Sequence, residues 1–149
     1  MYSESTRQYA MDLARDTGIS TISGKVKLVQ ETETDVQAGF LMYVPIYERE
    51  KPTQTTEQRR SAFEGFVYAP FRMDDFMTHV LSITKPDITL KVYDTKSDPQ
   101  NIMYDHTKVA NIDEKDINYP LSKSVTIDVN QRQWILEGTA LKSINSETE

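Results

Sequence analysis

Apolar positions along the chain change period several times, and each change marks an element. From Thr6 to Arg15 the apolar residues Tyr9, Ala10, Leu13 and Ala14 recur at helical spacing, so one face of a helix is expected to be buried. Ser3 or Ser5 is the expected cap at its start, and Gly18 the residue that closes it. From Ile19 the pattern turns strand-like: Val26 and Leu28 alternate with Lys25 and Lys27. The polar stretch from Glu31 to Asp35 reads as a turn with a solvated acidic tip. Gly39-Phe-Leu-Met-Tyr-Val-Pro-Ile-Tyr47 then reads as a strand buried on both faces, pairing with the previous one as an antiparallel hairpin.

A charged loop from Glu48 to Thr56 leads to a short helix over Glu57 to Phe63, with Thr56 as its cap. Gly65 to Ala69 is a strand that Pro70 is expected to end. Met73, Phe76, Met77, Val80 and Leu81 follow the helical stripe rule and predict a helix over Met73 to Ile83, with Pro86 breaking it. Ile88, Leu90 and Val92 alternate as a half-buried strand, and Ile102 to Tyr104 is a short one. Val109 to Tyr119 is expected to be a loop. Val125, Ile127 and Val129, a turn at Asn130-Gln131, and the return through Trp134 and Leu136 predict a second hairpin. Hairpins flanked by a few helices define an α+β class rather than a chain of βαβ units.

Composition narrows the function classes. Net charge is -6, and the densest basic cluster is Arg59-Arg60, so no nucleic-acid footprint is expected. Cysteine is absent, which removes disulfides, thiol catalysis and thiolate metal sites. No stretch approaches the ~18 apolar residues of a membrane span. Met1-Tyr2-Ser3-Glu4 lacks the basic and apolar regions that open a signal peptide, so any membrane anchors are expected to lie outside this segment.

Catalytic patterns are also missing. Asp74 and Asp75 are explained as first-turn carboxylates at the positive end of a helix dipole. Asp94 to Asp98 lacks the glycine and glutamate of a calcium loop. His79 and His106 have no partner pattern for a triad or a metal cluster. No phosphate-binding glycine loop or nucleophile elbow occurs. Gly39 and Gly65, inside apolar strands, mark places where backbone or ligand approaches closely. An enzyme is not expected, no metal or cofactor is implied, and a binding or interaction module is.

Three blocks carry a family resemblance: Asp16 to Glu31, Ala38 to Tyr47, and Glu57 to Met77. They resemble, in order and spacing, the CHASE domain, the extracytoplasmic sensor of bacterial signalling receptors and plant cytokinin receptors. Val92-Tyr-Asp94, Ile102-Met-Tyr-Asp105 and Gln133-Trp-Ile-Leu136 resemble its closing strands. The resemblance implies that residues 1–149 form a single PAS-like sensor domain, the C-terminal two-thirds of a CHASE domain without its N-terminal helices. It implies a periplasmic or extracellular position between two transmembrane helices of an inner-membrane protein. A histidine kinase or diguanylate cyclase output would lie in the cytoplasm, outside this segment, and the parent receptor would act as a homodimer. Membrane contact would come only through the absent flanking helices.

The resemblance also implies a ligand pocket. Ile22 matches a position whose backbone carbonyl contacts the ligand in the plant receptors, Tyr43 a position held there by a small threonine, and Gly65 a glycine of the pocket wall. Leu41 and Val67 lie two residues from Tyr43 and Gly65 and so share their neighbours' sheet faces. Tyr43 would fill part of an adenine-shaped cavity, so the expected ligand is an unidentified small planar or amphiphilic molecule and not a cytokinin. The alternative is a ligand-free structural or dimerisation module of the same kind of receptor.

Overall fold

The computed structural model describes residues 2–29, 36–84 and 87–142; the expected acidic turn at Glu31 to Asp35 and the break at Pro86 lie outside them. The architecture is α+β with antiparallel sheets. By packing, the chain divides into two compact units. The first comprises Met1–Arg72 with Asp128–Arg132, the second Met73–Ile127 with Gln133–Glu149.

In the first unit, α1 (Tyr2–Thr17) packs on a sheet whose central strand is β3 (Val36–Tyr47). Strands β1 (Thr21–Ile22) and β2 (Val26–Val29) pair with one edge of β3, and β4 (Phe63–Arg72) with the other. The hairpin of β2 and β3 is as the alternation implies, with Val26 opposite Gly39 and Leu28 opposite Gln37. Burial is less even than the apolar run of β3 suggests. Phe40, Leu41 and Tyr43 are buried, whereas Val36, Val44 and Ile46 are exposed, so the strand is covered on both faces only in its middle.

The helix α1 starts earlier than its apolar pattern predicts, so Ser3 and Ser5 lie within its first turn rather than ahead of it. Its buried face is formed by Ala10 and Ala14, which meet Leu41 and Tyr43; Tyr9 is 64% exposed and does not join them. Two alanines let the helix sit close to the sheet, and the larger tyrosine is rotated to solvent. Gly18 ends the helix as expected, at φ +73° with its N–H donating to the Ala14 carbonyl at 2.9 Å.

The short helix α2 (Thr56–Ala62) is capped by Thr55, one residue before the expected Thr56. Thr55 and Gln58 form a reciprocal capping box, with the Thr55 hydroxyl accepting from the Gln58 N–H at 3.1 Å and the Gln58 side chain accepting from the Thr55 N–H at 3.1 Å. Pro70 does not end its strand. Among the described residues β4 pairs only with β3, so it is an edge strand, where a missing N–H is tolerated.

In the second unit, the sheet order is β6-β5-β8-β7, with β5 (Ile88–Asp94), β6 (Ile102–Asp105), β7 (Ile117–Val129) and β8 (Arg132–Leu141). The helix α3 (Met73–Thr84) packs on β6 and buries Met73 and Met77, as its stripe predicts. Interior position changes the alternation of β5. Thr89 and Tyr93 are buried as well as Val92, because the strand is paired on both sides and partly covered on both faces.

The expected loop over Val109 to Tyr119 instead contains the end of α4 (His106–Val109), a 3-10 turn at Glu114–Asp116 and the start of β7. Asp105 and Asp113 cap the two turns through their carboxylates, a signal hidden in a polar run. The second hairpin forms. Asn130 and Gln131 both take positive φ, 43° and 65°, which suits the twist of a two-residue hairpin turn. The apolar alternation of β7 is not matched by burial: Val125 and Ile127 stay exposed on the outermost strand.

Candidate functional site

Two faces of the first sheet divide the residues the sequence groups together. Leu41 and Tyr43 face α1 and are buried beneath it. Gly65 pairs with Ile46, Val67 with Val44, and Ile22 with Met42, so all three belong to the opposite face. There Ile22 is buried, whereas Val67 is exposed beside Val44 and Ile46. A Cβ placed on Gly65 would meet nothing within 4 Å. Of Gly39 and Gly65, Gly39 is the one with a close approach: a Cβ there would lie 2.3 Å from the Phe71 carbonyl oxygen and 2.4 Å from a Leu28 methyl.

The α1 side carries a groove of about 420 Å³. One wall is α1, through Arg7, Gln8, Met11, Asp12 and Arg15; the other is Phe63 and Phe66 of β4. Residues three apart in a regular strand point to opposite faces. The register shifts between Ile46 and Tyr47, so that Phe63 pairs with Tyr47 while Gly65 pairs with Ile46. This bulge turns Phe63 back to the face of Phe66, and their ring centroids lie 4.8 Å apart. Tyr43 backs the same wall, with its ring edge-on to Phe66 at 5.6 Å. Burial raises the Tyr43 hydroxyl above its ordinary pKa, and the nearby charge of Arg7 opposes that shift.

The far end of α1 is held by a polar clamp that composition alone does not reveal. Arg60 grips the Asp16 carboxylate with two nitrogens, at 2.9 and 2.8 Å, and Arg15 donates to it at 2.9 Å. Hydrogen bonds from Arg60 and then Arg15 hold the Asp16 carboxyl well below the usual carboxylate range. Arg59 donates to the Asp16 carbonyl at 2.6 Å and to the Thr53 carbonyl at 2.9 Å, and the Tyr47 hydroxyl donates to the Arg15 carbonyl. The bonds to Arg15 and Asp16 satisfy carbonyls at the end of α1 that have no intrahelical partner. The basic pair is therefore a clamp for the end of α1.

The hairpin tip belongs to the first unit and completes β1. Ile22 N–H donates to the Asn130 carbonyl at 3.1 Å, Asn130 donates to the Ser20 hydroxyl at 2.8 Å, and Gln131 donates to the Thr21 hydroxyl at 2.6 Å. The Asn-Gln pair signals a turn in the sequence; nothing in it signals these partners.

Among the described residues, no group of histidine, aspartate and glutamate side chains could hold a metal ion. His79 is exposed on α3, and His106 stacks on Tyr104 at 6.2 Å in the second unit. No described helix is long and apolar enough to cross a membrane.

A CHASE domain family model matches residues 1–104. The chain belongs to the CHASE domain family, the extracellular sensory domain of histidine kinases and cyclases, and that domain is not itself catalytic. The match covers the three blocks and the strands up to Tyr104; the Gln133 to Leu136 segment stands beyond it. No curated protein matches the chain.

Proposed function

We propose that this chain is the PAS-like, ligand-binding part of an extracytoplasmic sensor in a membrane-bound histidine kinase or diguanylate cyclase. The parent receptor acts as a homodimer anchored by helices outside this segment. The ligand is a small planar molecule held in the first unit, in the groove between α1 and β4. The groove itself carries this reading: its volume of about 420 Å³ lies in the range of small-molecule sites, and its phenyl wall is set by a strand bulge. Leu41 and Tyr43 do not line the groove and support it from behind, in the buried cluster on which Met11 and Phe66 pack. Ile22, Gly65 and Val67, on the other face of the sheet, take no direct part. Binding signals by favouring one of two receptor conformations.

Thermal unfolding of the chain against a library of small planar metabolites tests the reading. A ligand at a hundred times its Kd adds about 2.7 kcal/mol, which for a chain of this size raises Tm by roughly 5–11 °C. Phe66→Leu removes that rise and leaves the helical signal intact. If no compound shifts Tm and the chain instead dimerises with rising concentration, the ligand-free dimerisation module replaces this reading.

A further inference from the structure

The cations around the groove are not equivalent. Arg15 contacts the carboxylates of Asp16 at 2.9 Å and Asp12 at 3.7 Å. Arg59 and Arg60 are occupied by carbonyls and by Asp16. Arg7 differs: its Nε is buried and has no hydrogen-bond partner among the described residues. It lines the groove beside Met11, Phe63 and Phe66, and its charge reaches the Tyr43 hydroxyl. A guanidinium stays charged at every relevant pH and offers its donors as a flat fork. A buried donor on that fork is costly unless something accepts from it. A carboxylate matches the fork with two parallel hydrogen bonds.

We propose that the groove binds a small aromatic or heteroaromatic monocarboxylate, with its carboxylate on Arg7 and its ring against Phe63 and Phe66. This rests on the reading of the groove as the ligand site and names the class of ligand it takes. Charge limits the class to one anionic group. Asp12 lines the groove and is only partly offset by Arg15, which Asp16 also holds, so a second ligand carboxylate at that end meets repulsion. The aromatic wall requires a ring: an aliphatic acid of the same charge forgoes it.

The test uses three probes on the 149-residue chain at fixed ionic strength: 2-naphthoate, its neutral amide 2-naphthamide, and acetate. Calorimetric titration is expected to show 2-naphthoate binding at least tenfold more tightly than 2-naphthamide, and acetate not binding. Arg7→Gln erases the preference for the acid while the amide still binds. Arg7→Lys keeps part of it, because the charge remains and the fork is lost. Phe66→Leu weakens both naphthyl probes alike. Equal binding of acid and amide, both weakened by Phe66→Leu, overturns the carboxylate class and leaves the groove as the site. Binding untouched by Phe66→Leu, or no binding of either naphthyl probe, overturns both. Circular dichroism of each variant separates lost binding from lost folding.

Discussion

Both units rest on four antiparallel strands, yet their sheets are covered differently. In the first, two alanines bring α1 down onto Leu41 and Tyr43, and the helix end is fastened by Arg59, Arg60 and Tyr47. In the second, α3 covers the neighbourhood of β6. The far part of that sheet holds an apolar depression of about 590 Å³, lined by Ile88, Leu90, Leu121, Val125, Leu136 and Gly138 among others. The first unit thus spends polar contacts on placing a helix beside a groove. The second buries Val92, Tyr104 and Trp134 and leaves its outer strand bare. The lesson is that apolar alternation reports which face a strand could bury, and not whether anything covers it.

The largest effect that would separate the units is expected at Gly39. A valine there would drive its Cβ into the Phe71 carbonyl and Leu28, both held by strand pairing. Overpacking of this kind costs about 3 kcal/mol or more. Gly65→Ala is the control, since a Cβ there meets nothing within 4 Å and its backbone needs no positive φ. The chain's single tryptophan, Trp134, is buried and belongs to the second unit, so it serves as that unit's reporter. In Gly39→Val the α1 helical signal is expected to melt well below wild type while the Trp134 emission shift lags behind it. Coincident melting of both signals would show one cooperative block and would end the comparison between two units.

Legibility in the sequence follows the same division. The elements of regular period were readable: the α3 stripe, the β2–β3 hairpin, the turn at Asn130-Gln131 and the end of α1 at Gly18. What was not readable depends on partners distant in the chain. Pro70 stays in a strand because β4 is an edge, which no local pattern states. Tyr9 has helical spacing but points to solvent, because the alanines set the distance to the sheet. The groove escaped notice because it needs a bulge that reverses Phe63, and a bulge shifts period without leaving a motif. Leu41 and Tyr43 do share a face, as do Gly65 and Val67; that the two pairs lie on opposite faces follows only from register. Arg59-Arg60 read as a mere basic pair, because Asp16 lies more than forty positions away, at |i−j| of 44 from Arg60.

A middle-sized effect tests whether the clamp fastens α1. Asp16→Asn removes the charge that Arg60 and Arg15 share and is expected to lower Tm by about 2–4 °C near neutral pH. The pH dependence has a definite sign. The Asp16 carboxyl is held below its ordinary value in the folded chain, so its contribution is complete above about pH 4, the unfolded aspartate range. It is lost as pH falls further, towards the lowered folded value. The gap in Tm between wild type and Asp16→Asn should therefore be flat from pH 5 to 8 and narrow below pH 4. Added salt should shrink it, because Arg60 is more than half exposed. A gap that persists unchanged at pH 2, or that is absent at pH 7, would detach the clamp from the stability of the first unit.

The smallest effect is expected where the second sheet is bare. Val125 lies on the outermost strand, is 46% exposed, and lines the apolar depression. Val125→Thr keeps the branched shape and adds a hydroxyl that water can reach. Substitutions at uncovered positions usually change stability by no more than about 0.5 kcal/mol, and threonine is as well suited to a strand as valine. Equilibrium urea unfolding followed by Trp134 fluorescence measures the change in the unit concerned. A loss above about 2 kcal/mol would match the cost of placing an unsatisfied hydroxyl in a closed interior. Such a loss would mean that this face is covered in solution, and the contrast with the first unit, where α1 covers Leu41 and Tyr43, would have to be withdrawn.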